Sequence, residues 1–509
     1  MQSNDKKVLL SIRDLKQWFP LGKGIYNKAN DGISIDIYEG ETFGLVGESG
    51  CGKSTLGRTI LQVYKQTDGR TMYYGESIDE LAPEYVRDTI RNLDSKRREL
   101  VRLEEKRDKF IEEYEKLSEE QKIEKTEELR LVKKQAYDAL YDITSVVGGF
   151  IVAEDLKPVT EQYLKINDLS RKLHHLKLKL DDKNVVLADI EYTYKDDPQN
   201  QKGIDKIASA KKEISSIEAE IDSVKTALEK EHAVLESMRE PLRSDPRFEK
   251  YEQWKDDGID LARLKYEEMR QLRKDLQLIF QDPYSSLNPR MSVGQIIGEG
   301  LLAHNFFKKN SPRMQDRVLK VMDDCGLAPY FVHRYPHQFS GGQRQRIGIA
   351  RSLATNPKFV VCDEAVSALD VSIQSQIINL LSDLKDQQHL TYLFITHDLS
   401  VVKYISDRIG VMYLGNMVEL AESQEIFDHP LHPYTEALLG AIPTTDVNQT
   451  RELQVLEGDI PSPVNPPSGC KFHTRCKYCT DICKKVTPEW QEIRENHFVA
   501  CHHILEKNM

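Results

Sequence analysis

Residues 42–55 constrain this chain more than any other stretch. Thr42-Phe43-Gly44-Leu45-Val46 is a short apolar run of strand type. Gly47-Glu48-Ser49-Gly50-Cys51-Gly52-Lys53-Ser54 follows at once, with Thr55 next. A glycine loop fed by a strand and opening a helix turns successive backbone N–H groups, and the positive end of the helix, toward one spot. Such a spot holds phosphate. Lys53 would reach the outer phosphates of a nucleotide, and Ser54 would offer its hydroxyl to Mg²⁺. Every fixed position of G-x-x-x-x-G-K-[ST] is matched after a strand, so an α/β nucleotide-binding domain is expected.

Other runs extend that chemistry. Lys358-Phe359-Val360-Val361-Cys362-Asp363-Glu364 reads as a buried strand ending in two carboxylates. Asp363 is placed to hold Mg²⁺, and Glu364 to polarise an attacking water as general base. Upstream, Ser340-Gly341-Gly342-Gln343 opens a helical run with a hydroxyl and flexible backbone, a second anion site. Downstream lie Ser367-Ala368-Leu369-Asp370 and a strand, Leu393-Phe394-Ile395-Thr396, ending at His397. A neutral histidine there can accept a hydrogen bond and also face phosphate. Phe280-Gln281-Asp282-Pro283 adds a glutamine, but Lys53 and Gln281 are 228 residues apart.

In this order the motifs resemble those of ATP-binding cassette ATPases, over roughly residues 8–80 and 268–440. The resemblance implies a RecA-like lobe plus a helical lobe, with ATP and Mg²⁺ as substrate and cofactor. It also implies a head-to-tail dimer, in which Lys53 and Ser54 of one chain face Ser340 and Gly342 of the other across ATP. Gln281 would sense Mg²⁺ and the γ-phosphate, and Asp370 would cross the interface. Phe19 is the expected adenine-stacking ring, with Trp18 and Tyr26 as rivals. The family usually carries Pro after the catalytic Glu. Ala365 stands there, which loosens a turn and removes no catalytic group.

Four longer runs narrow the resemblance. They are Phe280 to Met291, Val366 to Gln374, His432-Pro433-Tyr434-Thr435-Glu436-Ala437-Leu438-Leu439, and Pro466 to Cys476. They are similar to the ATPase subunits of oligopeptide/dipeptide permeases, the F-type by its Val-Ser-Ala-Leu-Asp wording. That likeness implies a D-type ATPase partner, two membrane permease subunits, a peptide-binding receptor reached indirectly, and a place on the cytoplasmic face of the cell membrane. Nickel import is a related alternative.

Eight cysteines are present, five of them between 470 and 501. In a cytosolic protein such a cluster more often means metal than disulfides. Cys470, Cys476, Cys483 and Cys501 match a C-terminal module of the permease ATPases that implies a [4Fe–4S] cluster, and four thiolates suit Zn²⁺ equally by number. The Pro-rich run 461–467 reads as an extended linker into that module.

The gap between Lys53 and Gln281 is filled by residues rich in Lys, Glu and Arg, the main reason that charged residues reach 30% of the chain. Ile214, Ile217, Ile221, Val224, Leu228, Leu235 and Met238 keep heptad spacing, as do Leu93, Leu100, Leu103, Phe110, Tyr114 and Leu117. Two such helices around a mixed segment predict an antiparallel coiled-coil arm, with 143–153 and 184–194 as a small cap or strands. The expected division is 1–83 and 266–440 for the ATPase, 84–265 for the arm and 441–509 for the C-terminal extension. DNA-maintenance ATPases also insert coiled coils, but beyond the Gln loop. Tandem translation-factor cassettes would show two P-loops. A net charge of −11 suits neither DNA nor RNA, so no nucleic-acid partner is expected. No stretch is apolar enough to cross a membrane, and residues 1–7 lack the apolar core of a leader.

Overall fold

In the computed structural model, residues 6–309, 311–367, 369–441 and 458–505 are described. Residues 1–5 of the stretch read for a leader, Ala368 of the Ser-Ala-Leu-Asp run, and 442–457 and 506–509 of the C-terminal extension lie outside them. The chain forms two compact units. Of the described residues, one unit comprises those within 6–73, 260–262 and 269–505, and the other those within 74–259 and 263–268.

The first unit is built on a sheet in the order β11-β12-β10-β9-β3-β8-β7-β6. Its strands are β3 (Thr42–Val46), β6 (Leu276–Ile279), β7 (Phe359–Asp363), β8 (Thr391–Ile395), β9 (Arg408–Tyr413), β10 (Asn416–Glu422), β11 (Gln491–Arg494) and β12 (His497–Val499). β3, β7 and β8 are buried along their whole length, as continuous apolar runs in a covered parallel sheet should be. β8 lies parallel between β3 and β7, with Ile395 opposite both Leu45 and Asp363. That register brings the phosphate loop, the Asp363-Glu364 pair and the segment leading to His397 to one edge of the sheet. The carboxyl ends of strands are where open α/β sheets hold ligands.

A second sheet runs β2-β1-β4-β5, with β1 (Val8–Gly22), β2 (Ile25–Tyr38), β4 (Asp68–Tyr73) and β5 (Ile259–Asp260). Helices Val293–Ala303, Pro312–Asp324 and Gly341–Leu353 share a core centred on Val293, Ile297, Val318, Met322 and Ile347. The C-terminal cysteine region is not a separate module behind a linker. β12 pairs with β10 at the edge of the main sheet, Phe472 enters the core with Tyr413 and Tyr434, and the Pro463 carbonyl accepts the Lys28 N–H.

The second unit begins earlier than the expected residue 84. The short helix Ile78–Leu81, capped by Ser77, buries both end residues and packs on helix Lys157–Thr193. The predicted pairing of the two heptad helices with each other is also corrected. Helix Leu93–Glu115 packs on Glu119–Val147, and Gln201–Arg239 packs on Lys157–Thr193. The second pair is antiparallel, since Lys172 meets Glu220 while Lys183 meets Glu213. Its seam sets Leu169, Leu173, Leu176 and Leu180 against Ile217, Ile221, Val224 and Leu228, steps of four and three on both sides. The true partner of the 214–228 stripe therefore lies in the mixed segment, where Lys and His between the leucines obscure the repeat. Neither apolar patch forms strands. Residues 143–147 end a helix, 148–152 form a buried 3₁₀ turn, and 184–193 are helical. No helix among the described residues is long and apolar enough to cross a membrane.

Candidate functional site

The phosphate loop leaves β3 and enters helix Lys53–Ile60 at Gly52, whose φ of 102° only glycine adopts readily. Space forbids a side chain as well. A Cβ on Gly47 would run into the Met412 carbonyl, and one on Gly52 into that of Ala29. Lys53 is buried, and its Nζ donates to the carbonyls of Gly47 (2.7 Å) and Glu48 (3.0 Å). The loop thus folds around its own lysine, with Ser49 and Gly50 exposed, Ser54 and Thr55 half-buried and Cys51 buried. Burial pushes the Cys51 thiol up, against the opposing pull of Lys53.

At the edge of β7 the two carboxylates take different roles. Asp363 is fully buried. Its Oδ2 accepts from Arg58 at 3.0 Å, and its Oδ1 has no hydrogen-bond partner. An orphaned buried carboxylate oxygen, on a carboxylate gripped by Arg58 of the helix that carries Ser54, fits a divalent cation. Glu364 adopts a left-handed φ of 47°, costly for a residue with a side chain and typical of sites where geometry is enforced. Its carbonyl accepts from the Ser367 hydroxyl, and its amide donates to Ile395. The carboxylate Oε2 accepts from Gln281 Nε2 at 2.6 Å, and Oε1 lies 3.5 Å from His397 Nδ1. Gln281, Glu364 and His397, separated widely in sequence, therefore meet at one carboxylate.

Elsewhere the expected residues have structural duties. Ser340 is the N-cap of helix Gly341–Leu353 and exchanges hydrogen bonds with Gln343 in a capping box. Gly342 is tight against Ile373, where a Cβ would clash. Asp370 caps helix Val371–Gln388, and bonds from the Ser372 hydroxyl and Ile373 amide hold its carboxyl below the usual range. Phe19 is half-buried and packs edge-on against Tyr64, Trp18 lies under Lys28 Nζ, and Tyr26 is exposed.

The cysteines come near one another but not into a ligand set. Burial pushes Cys470 up to about 11 and Cys501 up to about 12, with Cys476 and Cys483 adding smaller upward contributions to both. Cys501 Sγ donates to the His503 carbonyl at 3.1 Å. Among the described residues no group of three or more His, Cys, Asp or Glu is disposed to hold a metal ion. As folded here, the four cysteines do not fit a bound cluster or Zn²⁺.

Sequence reasoning missed four residues of this site. Arg58 grips Asp363, Asn30 Nδ2 donates to the Gly52 carbonyl, Tyr434 accepts the Glu48 amide, and Arg475 forks onto the Glu48 carboxylate. Arg475 and Tyr434 stood in the runs that carried the permease resemblance, but nothing local showed which groups they touch.

The family model for ABC transporters matches residues 30–157 and 233–367, and the oligopeptide/dipeptide transporter C-terminal region matches 418–483. The chain is 32% identical over 510 residues to the oligopeptide transport ATP-binding protein AppF of Bacillus subtilis, covering 99% of both, so the match runs through the inserted unit. It is 51% identical over 246 residues to OppF, an oligopeptide transport ATP-binding protein of Salmonella typhimurium, covering 48% of this chain and 73% of that one. A solved cassette from Clostridium perfringens aligns at 16% identity over 83% of this chain and 91% of that one, with a TM-score of 0.40.

Proposed function

We propose that this chain, which belongs to the ABC transporter ATPase family and carries its oligopeptide/dipeptide C-terminal region, hydrolyses ATP to power a membrane importer of oligopeptides or dipeptides. The observation that carries the chemistry is the meeting of Gln281 and His397 on the Glu364 carboxylate, beside the phosphate loop. In this reading Lys53 leaves the carbonyls of Gly47 and Glu48 to meet the β- and γ-phosphates. Glu364 accepts a proton from the attacking water, and His397 and Gln281 hold that carboxylate in place. Mg²⁺, when bound, neutralises charge on the phosphate oxygens, and Asp363, Ser54 and Gln281 are the residues that would hold it. Phe19 stacks on adenine.

The finer parts of the reading are these. ATP is closed between Lys53, Ser54 and the loop of one chain and Ser340, Gly341, Gly342 and Gln343 of a D-type paralogue, with Asp370 crossing between them. The pair sits beneath two permease subunits at the cytoplasmic face of the membrane. Support comes from the two capped helix N-termini and from the names of the relatives. The paired helices of the second unit act as an arm for protein contact. Cys470, Cys476, Cys483 and Cys501 are the thiols that would have to rearrange to take iron or zinc, and metal analysis after anaerobic purification decides whether they do.

Glu364→Gln tests the catalytic core. ATP should still bind, and hydrolysis should fall by about 10²–10⁴-fold, the usual worth of a general base. Turnover at the wild-type rate sinks the assignment. Reconstitution with co-purified permease subunits tests the cargo, with ATP-dependent uptake of labelled peptide expected and uptake of Ni²⁺ alone contradicting it. Deleting residues 88–262 tests the arm. Unchanged transport, ATPase rate and complex composition would remove it from the function.

A further inference from the structure

The segment from Cys470 to Cys476 lies outside every ATP-contacting motif, yet its side chains land on the phosphate loop. We infer that this segment is part of the scaffold of the ATP site, with Arg475 and Lys471 as positioning residues that hold the loop at its two ends. The Arg475 guanidinium meets both carboxylate oxygens of Glu48, at 2.7 and 3.0 Å, and its side chain is only 4% exposed. A two-pronged charged contact of this kind fixes orientation as well as distance. The Glu48 amide donates to the Tyr434 hydroxyl at 2.8 Å. Tyr434 is wedged between Tyr413 and Phe472 at 4.8 and 5.3 Å. Glu48 is therefore held by side chain and by backbone, and its carbonyl is one of the two acceptors that seat Lys53.

The far end of the loop is held through a second chain of contacts. Lys471 Nζ donates to Asp31 Oδ2 at 3.1 Å and to the Leu414 carbonyl at 3.3 Å. Asp31 follows Asn30, whose amide donates to the Gly52 carbonyl at 3.1 Å. Gly415, next to Leu414, donates its N–H to the Cys51 carbonyl and accepts that of Asp31. A segment serving only to fasten the C-terminus could do so through Phe472 alone. Here its arginine reaches Glu48 directly, and its lysine reaches Cys51 and Gly52 through two intervening residues each.

The test uses the full chain, a fluorescent ATP analogue with Mg²⁺, and thermal unfolding alongside. Arg475→Met should weaken nucleotide binding about tenfold, where tenfold is about 1.4 kcal/mol. Arg475→Lys, which keeps charge and loses the fork, should fall between it and wild type. Because the two residues act as a pair, Glu48→Gln combined with Arg475→Met should be no worse than the single Arg475 variant. Lys477→Ala, nearby but paired with Glu436, should stay within about twofold of wild type. Wild-type affinity in a folded Arg475 variant overturns the inference, as do losses that multiply in the double variant or an equal loss in Lys477→Ala. If Arg475→Met does not fold, Arg475→Lys at wild-type melting temperature decides by the same criterion. A wild-type chain that binds no nucleotide would instead defeat the ATP-site reading itself.

Discussion

The nucleotide unit and the inserted helical unit are stabilised by opposite means. In the nucleotide unit charges are taken inside and paired. Arg408 forks onto buried Glu41, and Arg58 holds buried Asp363. Such pairs cost desolvation, so they are weak sources of stability, but removing one partner strands the other. In the inserted unit the pairs joining its two longest helices stand in water, and an apolar seam of leucine, isoleucine and valine joins the helices. One unit is held to a geometry, and the other is held together.

The sharpest way to break that comparison is at the loop glycines. Gly52→Ala places a Cβ against the Ala29 carbonyl at a φ of 102°, so both space and backbone oppose it. We expect nucleotide binding to be lost, with a destabilisation of about 3 kcal/mol or more, confined to the nucleotide unit. Binding near the wild-type level would show that the loop is not held to one shape.

Core truncation in the inserted unit comes next. Ile221→Ala opens a cavity in the seam and should cost about 2–4 kcal/mol, read by denaturant unfolding. Nucleotide affinity should not move. A parallel loss of affinity would mean that the second unit also serves the geometry of the first.

These two variants also mark where the sequence was legible. Gly52, Lys53, Asp363 and Glu364 could be read because phosphate chemistry demands those residue types in a fixed local order. The 214–228 stripe could be read as helix, but not its partner, because Leu169, Leu173, Leu176 and Leu180 alternate with charged and polar residues that blur the period. The third class was invisible. The Arg58–Asp363 and Arg475–Glu48 contacts span hundreds of residues, and any basic side chain on a sequence looks solvated until the fold brings it to an acid.

Acid should separate the units further. His432 Nδ1 accepts the Tyr434 N–H at 3.0 Å, and burial holds its pKa down to about 4. As pH falls through the unfolded value of 6.5, the unfolded chain takes the proton first. The contribution to stability is therefore complete above about pH 6.5 and declines toward about pH 4, by up to about 3 kcal/mol. In the inserted unit burial raises the Asp79 carboxyl, so the folded form takes its proton first and gains stability as pH falls through that raised value. Hydrogen exchange at pH 7 and 5 should show protection falling in the nucleotide unit and not in the helices. His432→Asn keeps a cap acceptor without the titration, and an unchanged pH step in that variant would assign the step elsewhere.

The smallest effect sharpens the comparison from the other side. Lys211 and Glu191 pair at 3.1 Å between the two longest helices, and more than half of the Lys211 side chain is in solvent. Water screens the charges, and ordering two long side chains offsets much of the attraction, so Lys211→Ala should change stability by less than about 0.5 kcal/mol. The Arg475–Glu48 pair is shorter, two-pronged and mostly buried, and its removal should be felt at the nucleotide. If Lys211→Ala destabilised the helices as much as Ile221→Ala, the seam would not be what joins them. The difference between the units would then be one of charge placement alone. A null result at Lys211, beside a loss of affinity at Arg475, locates the difference in burial together with the two-pronged contact.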